Sequence, residues 1–140
     1  YYAFEAEKYP GVPHLNLVDI DNDPFDVEGV GFIPIDVWHY KMPVKAFRVG
    51  DFTYITDANR IDDTELEKIR GSKVIVVNAL RKQDHLSHFT LDQAIDLMKE
   101  LKPEKAYFTH ISHLMGKHEE VSKELPDFIE IAYDGLEINL

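Results

Sequence analysis

The chain is 140 residues long, is 44% hydrophobic and carries 26 acidic against 15 basic residues, for a net charge of −11. A chain of this length can form one domain, and such a domain buries roughly two-thirds of its unfolded surface. The acidic balance makes nucleic acid an unlikely partner, because affinity for polyanions comes largely from Lys and Arg. We therefore favour a small-molecule substrate.

The chain has no cysteine. This excludes disulfides, thiolate zinc sites, iron–sulfur clusters and cysteine nucleophiles, so a transition-metal site must use His, Asp or Glu. The sequence contains no apolar run near the roughly 20 residues that a membrane span needs, and it does not open with a signal pattern. We predict a cytoplasmic protein that does not contact membranes.

The first half of the chain predicts a meander of strands. Residues 1–14, rich in aromatics and proline, are expected to be an irregular lead-in. Alternating or apolar runs predict strands at 16–20, 30–38 and 46–49. Gly50-Asp51 is a dipeptide typical of hairpins, so the run that begins at Phe52 should be the antiparallel neighbour of the strand before it.

The second half alternates helices with strands. Asp62 to Glu65 predicts a helix start that closes at Gly71, and four β-branched residues at 74–77 predict a strand buried on both faces. Thr90 and Gln93 form a capping box that opens a helix ending at Lys102-Pro103. The remaining predictions are a strand at 106–109, a short helix at 119–124, and a strand or hairpin at 128–140 that turns at Asp134-Gly135. This order predicts an α/β layer structure.

Three strand-like runs end on a possible metal ligand. His39, Asp57 and His110 each follow such a run, so all three should lie at a sheet edge, where ligands are held rigidly. Neutral imidazole and carboxylate suit divalent zinc, manganese or iron. The alternative for Asp57 is a turn or helix cap. His85 and His88 lie in a polar loop before the capped helix, where they could contact an anion or simply be solvated.

These motifs resemble the C-terminal half of a metallo-β-lactamase-fold hydrolase. The matching segments are Pro34–His39, Phe47–Asp57, His88–Ala94 and Phe108–His113, in that order. The resemblance is closest to the branch that holds the phosphoribosyl cyclic phosphate phosphodiesterase, and it extends more distantly to the tRNA 3′-processing endonucleases. It implies an α/β fold that is half of an αββα sandwich, with a mixed sheet and helices packed on one face.

The resemblance also implies roles for the site residues. His39 would bind the first of two divalent ions, zinc or manganese, Asp57 would bridge both, and His110 would bind the second. His88 would contact the scissile phosphate or help the leaving group depart. His113 would lie near the substrate or behind the ligands. The implied activity is hydrolysis of a small cyclic or nucleotide-derived phosphodiester.

One part of the family pattern is missing. The His-x-His-x-Asp-His segment that supplies most remaining ligands does not occur in this sequence. We therefore expect 1–140 to be a single partial domain, the second half of a longer hydrolase, with weak metal binding and no robust activity of its own. The face left by the absent half should be apolar and could support a homodimer.

Two alternatives remain open. The chain could be a non-catalytic α/β interaction module of the same fold, or it could belong to a metallo-hydrolase that cleaves a lactone or thioester. The upstream sequence discriminates between the enzyme and the module. The segment His88-Phe89-Thr90 favours the phosphoester.

Overall fold

The computed structural model describes residues 17–140. The predicted irregular lead-in at 1–14 and the first residue of the strand predicted at 16–20 lie outside the described residues. Residues 17–20 form no strand, so the prediction is wrong for them. Leu17 and Val18 are 70% and 84% exposed, and residues 17–20 pair with no strand of the described chain.

The described chain forms a mixed eight-stranded sheet and three helices. The strands are β1 (Phe25–Val27), β2 (Val30–His39), β3 (Met42–Val49), β4 (Phe52–Ile55), β5 (Arg60–Ile61), β6 (Val74–Asn78), β7 (Lys105–Thr109) and β8 (Ile129–Ile131). The helices are α1 (Asp63–Ile69), α2 (Leu91–Leu101) and α3 (His118–Val121), which runs on into a 3-10 turn at Ser122–Glu124. The predicted α/β class and mixed sheet are confirmed.

The strand order across the sheet is β1-β2-β3-β4-β6-β7-β8, with the short β5 beside β2. The first four strands are antiparallel neighbours, as the meander predicted, and the hairpin at Gly50-Asp51 joins β3 to β4. The last four strands are parallel. Because β3 alone reverses between them, β2 runs in the same direction as β4, β6, β7 and β8. The carboxyl ends of these five strands therefore share one edge of the sheet.

One face of the sheet carries the core. Alternate side chains from β2 to β8 point into a single buried cluster, which includes Val37, Ile55, Val77 and Phe108. All three helices contribute to this same cluster, through residues that include Leu66, Ile69, Ala94, Met98, Leu101 and Val121. The helices thus pack on one face, as predicted.

Helix α2 begins where the capping box predicted. Thr90 Oγ1 accepts from the backbone N–H of Gln93 at 3.2 Å, and Gln93 Oε1 accepts from the backbone N–H of Thr90 at 2.9 Å. Leu91, Ala94, Met98 and Leu101 form its buried stripe. The cap fixes the start of the helix at Leu91, three residues after His88, and so fixes the end of the loop that carries this histidine.

The opposite face of the sheet is the one away from the core cluster, to which all three helices of residues 17–140 contribute. Phe47, Tyr54, Val76 and Tyr107 are neighbours in register across four strands on this face. Tyr54 is 43% exposed, and Phe47 and Tyr107 are half-buried. An aromatic row therefore lies at the surface of the sheet.

The C-terminal segment differs from the prediction. Ile129–Ile131 forms β8, but residues 132–140 form no second strand, although a turn is present at Asp134-Gly135. The partner edge offered by β8 is only three residues long, and Leu140 remains 76% exposed. In residues 17–140, no helix has both the length and the apolar content to cross a membrane.

Candidate metal centre

The common carboxyl edge of the parallel strands brings together four side chains from distant parts of the sequence. His39 is the last residue of β2, Asp57 lies two residues after β4, and His110 directly follows β7. His88 comes from the loop between β6 and α2. Because β2, β4 and β7 run in the same direction, His39, Asp57 and His110 lie at the same edge of the sheet, as predicted.

The carboxylate of Asp57 is the centre of the group. Its Oδ1 atom lies 3.1 Å from Nε2 of His88 and 3.6 Å from Nε2 of His110. One donor atom from each of His39, Asp57 and His88 lies within 4.8 Å of the others, a spacing that could hold a metal ion. Two of the three ligands predicted from sequence, His39 and Asp57, belong to this group together with His88. The third, His110, lies beside Asp57 but outside the group.

The imidazole rings are packed closely around His88. Its ring stacks on that of His110 with centroids 4.7 Å apart, and it meets the ring of His39 edge-on at 4.8 Å. The His88 side chain is only 10% exposed, whereas those of Asp57 and His110 are 43% and 40% exposed. His88 forms the floor of the site, and the carboxylate and His110 are open to solvent.

Two residues of the loop hold the other side of the His88 ring. Its Nδ1 atom lies 3.0 Å from Oγ of Ser87 and 3.1 Å from Nδ1 of His85. If Nε2 of His88 carries a proton toward Asp57, neutral His88 has an acceptor at Nδ1, which suits both neighbours. Sequence reasoning identified His85 as a loop histidine but did not connect it to His88.

The backbone at the site is fixed by a buried residue that sequence reasoning missed. Asn78, at the end of β6, is fully buried. Its Oδ1 accepts from the N–H of Ala58 at 2.8 Å, and its Nδ2 donates to the carbonyl of Ala58 at 2.9 Å. The same carbonyl accepts from the N–H of Phe89 at 2.8 Å. Ala58 thus joins the segment after Asp57 to the segment after His88.

Two of the site residues adopt a left-handed backbone. Asp57 has φ 53° and His110 has φ 58°. This conformation is uncommon for residues other than glycine, and it persists where the surroundings enforce it, often at functional sites. Here it turns each chain sharply just after its strand ends.

The electrostatics favour an ionised Asp57 beside a neutral His88. Burial on its own would raise the pKa of Asp57, but the hydrogen bond to His88 and the charges of His110, His88 and His39 outweigh it, and the pKa lies below its usual value. Burial lowers the pKa of His88; the bond to Asp57 opposes this, and the other three imidazoles reinforce it. A carboxylate and neutral imidazoles are the forms that bind a divalent ion.

His113 stands apart from this group. It is exposed, three residues beyond His110, and its ring takes part in none of the hydrogen bonds or ion pairs found within residues 17–140. The structure therefore brings together four of the five predicted site residues. A role for His113 near the substrate stays a prediction.

The donor set fits a divalent metal ion. Imidazole nitrogens and a carboxylate oxygen are ligands of zinc and manganese. The centre lies at the edge of a mixed sheet with helices on one face.

The family follows from comparison with known proteins. The model of the Beta-lactamase superfamily domain matches residues 1–111, and the chain belongs to this family. The fold family is hydrolytic and of metallo-β-lactamase type, and it typically binds divalent metals. The resemblance found in the sequence is confirmed.

Among solved structures, a diphosphatase from the PhnP family is 34% identical and superposes with a TM-score of 0.88, over 91% of this chain and 50% of that one. The metallo-β-lactamase fold protein YhfI from Bacillus subtilis is 18% identical with a TM-score of 0.71, over 85% of this chain and 54% of that one, which shows the fold alone. A protein named octanoyltransferase from Porphyromonas gingivalis is 32% identical over 139 residues, or 98% of this chain and 28% of that protein. The chain therefore spans about half of the two solved structures and less than a third of the octanoyltransferase.

Proposed function

We propose that this chain forms the C-terminal half of a binuclear metal-dependent hydrolase that cleaves a small phosphodiester, either cyclic or nucleotide-derived. The observation that carries the proposal is the convergence of His39, His88 and His110 on the carboxylate of Asp57. The 34% identity to a diphosphatase supports a phosphoester as the substrate.

The ligands are proposed from the resemblance to the family, and the contact of His110 with Asp57 is compatible with them. His39 and Asp57 would hold the first ion, and Asp57 and His110 the second, with zinc or manganese as the metal. This gives each ion two ligands, fewer than the three or four that hold zinc firmly. We propose that a His-x-His-x-Asp-His segment elsewhere in a longer protein supplies the others, and that the chain alone is inactive. The half-length match to the diphosphatase supports this division.

Divalent ions bound here would supply an acidified water molecule and positive charge opposite the charge that develops on the phosphate. The chain's own residues would orient the reaction. The Asp57 carboxylate is ionised and partly exposed, and its Oδ1 atom holds the Nε2 atoms of His88 and His110 in place at the sheet edge.

His88 is proposed to serve the leaving group. When the bond between phosphorus and the leaving oxygen breaks, negative charge develops on that oxygen. The N–H at Nε2 of His88, which faces the centre of the site, would donate a hydrogen bond to this oxygen, while water supplies the proton that it takes up. Ser87 and His85 hold the other nitrogen and thereby fix the direction of the ring. His88 is closer than His110 to Asp57, so its place outside the ligand set requires a direct test.

The test is hydrolysis of bis-p-nitrophenyl phosphate by the product of the entire reading frame that contains this chain, with zinc or manganese added. We expect about two metal ions per protein and activity that disappears in His39→Ala and Asp57→Ala. His118→Ala, a histidine on α3 away from the cluster, is the matched control and should keep activity.

Two results would count against the proposal. A reading frame without the upstream histidine motif, whose product binds no metal, would favour the non-catalytic module. Hydrolysis of lactones or thioesters without hydrolysis of phosphodiesters would keep the metal centre and change the bond.

A further inference from the structure

A groove adjoins the candidate metal centre, and neither the family match nor the proposed ligand set accounts for it. It has a volume of about 600 Å³, and His39 of the centre forms part of its wall. Sites for small ligands commonly have roughly 300–1,000 Å³. The rest of the wall comes from the turn between β2 and β3 and from the loop that carries His88, through Tyr40, Lys41, Met42, Pro43, Leu86 and Ser87.

The walls of the groove are apolar and exposed. Tyr40 is 46% exposed, Met42 56% and Leu86 65%. None of these side chains belongs to the buried core cluster. Large apolar side chains grouped at the surface beside a polar centre are typical of a site that binds the apolar part of a ligand.

The only Lys, Arg or carboxylate side chain among the lining residues is Lys41. Its Nζ atom lies 5.2 Å from the centroid of the Tyr40 ring. Lys41 offers a positive charge to an anion, and the ring of Tyr40 beside it offers an aromatic face to a flat apolar group.

The two walls are tied together by Asn59. Its Oδ1 accepts from the N–H of Tyr40 at 2.9 Å, and its Nδ2 donates to the carbonyl of Leu86 at 3.1 Å. Its own N–H donates to the carbonyl of Trp38 at 2.8 Å. Tyr40 has φ 59°, a left-handed conformation that this bond helps to hold. The groove is therefore a formed site whose walls keep a set separation.

We infer that this groove binds an aromatic ring in the non-reacting part of the substrate, with Tyr40, Met42 and Leu86 against the ring and Lys41 beside the phosphate. The inference rests on the proposed function for the identity of the reacting group, because the groove opens onto His39. It narrows the substrate class to phosphoesters that carry an aromatic group. A phosphoester of a small alkyl group such as methyl would leave the apolar walls unoccupied.

The experiment measures binding, so it does not depend on turnover. Phenyl phosphate and methyl phosphate are titrated into the full chain with zinc present, and amide shifts are followed by NMR. We expect phenyl phosphate to bind about tenfold more tightly, because an aromatic ring gains both apolar contact and stacking. The largest shifts should be at Tyr40, Met42 and Leu86.

Variants test the location. Leu86→Ala and Met42→Ala should each reduce the preference for phenyl phosphate by at least half while leaving the affinity for methyl phosphate unchanged. Both side chains are more than half exposed, so these changes should not unfold the protein. Leu114→Ala is the matched control, since Leu114 is 50% exposed and does not line the groove.

The inference is overturned if the two phosphates bind equally, if neither binds, or if the preference survives in both groove variants. These outcomes are separable from failure of the proposed function. A chain that prefers phenyl phosphate in the groove but belongs to a protein without metal or hydrolysis retains the binding site and loses the catalytic role. An active hydrolase without the preference retains its function and loses the aromatic subsite.

Discussion

The side chain of Asn78 makes two hydrogen bonds to the backbone of Ala58, the residue that follows Asp57. Both partners are fully buried. Asn78→Ala leaves a buried N–H without its acceptor, and we expect a loss of about 2–3 kcal/mol in the free energy of unfolding from the unsatisfied group and lost packing. Chemical denaturation measures the change. Asn139→Ala, at an exposed asparagine, is the control and should stay close to wild type.

A stability loss in Asn78→Ala below about 0.5 kcal/mol, the usual range for surface substitutions, would show that this tie is unimportant. We also expect the variant to bind zinc more weakly, because Asp57 is then held less firmly. Unchanged zinc affinity would contradict a positioning role for Asn78.

His88 and His110 should differ in what they lose when substituted. His110→Asn should lower the number of bound metal ions in the longer protein, because His110 is proposed as a ligand. His88→Asn should leave metal content unchanged and reduce kcat, with the largest effect on substrates whose leaving group is a poor one, such as an alkoxide. Metal analysis and steady-state kinetics on both variants provide the comparison.

The opposite pattern would be informative. If His88→Asn loses as much metal as His39→Ala, His88 is itself a ligand, as its 3.1 Å approach to Asp57 permits.

Glu65 should make the stability of the chain depend on pH. Burial on its own raises the pKa of this carboxyl, but bonds from the N–H of Asp36, from Lys68 and from Asn22 outweigh burial and lower the pKa below its usual 4.5. A lowered pKa in the folded state contributes stability above the unfolded value, and this contribution disappears as the pH falls through the folded value. Glu65→Gln should therefore destabilise at neutral pH by about 1.5–3 kcal/mol, the range for bonds to a charged group.

The difference between wild type and Glu65→Gln should shrink as the pH is lowered below 4.5. Urea denaturation at a series of pH values measures it. Glu137→Gln, at an exposed position, serves as the control. A difference that stays constant from neutral to acidic pH would mean that the charge of Glu65 does not stabilise the fold.

The aromatic row on the sheet face away from the helices should drive self-association of the isolated chain. Phe47 and Tyr54 are neighbours there, and Tyr107 lies beyond Val76 in the same row. Exposed apolar patches of this kind favour a partner. We expect sedimentation velocity to show a concentration-dependent dimer. Tyr54→Glu should shift it to monomer, whereas Tyr133→Glu, at an exposed tyrosine outside the sheet strands, should not. A wild-type chain that stays monomeric at high concentration would exclude a homodimer through this face.

Local patterns in the sequence predicted the elements that are long or carry strong signals. The capping box at Thr90 and Gln93 set the start of α2, and the β-branched run at 74–77 predicted a strand that proved buried at every position. β1 and β5 were missed because they have only three and two residues, too short for a periodic pattern, and each exists through its pairing with β2. The predicted C-terminal hairpin did not form beyond β8. Residues 132–140 alternate as a strand would, but β8 has only three residues with which they could pair.

The site was partly predictable for the same reason. A polar residue at the end of an apolar run identified His39, Asp57 and His110. The signal works because β2, β4 and β7 run in the same direction, so that residues at their carboxyl ends lie close together. Asn78 carries the same signal at the end of β6, but an amide is not among the usual ligands of zinc, so Asn78 was not predicted as a site residue. The contact between His85 and His88 depends on how the loop folds, and spacing along the chain does not determine it.

Because the parallel strands share one direction, the candidate metal centre lies at their carboxyl ends, and the opposite edge of the sheet, at their amino ends, carries none of its residues. The Gly50-Asp51 turn and the connection before β7 lie at this far edge. β6 has five residues, so the two edges are about 16 Å apart at the usual rise per residue. Because the sequence contains no cysteine, Glu104→Cys would provide a single thiol there for a fluorescent or spin label. Folding and association could then be followed by a reporter that does not touch the chemistry.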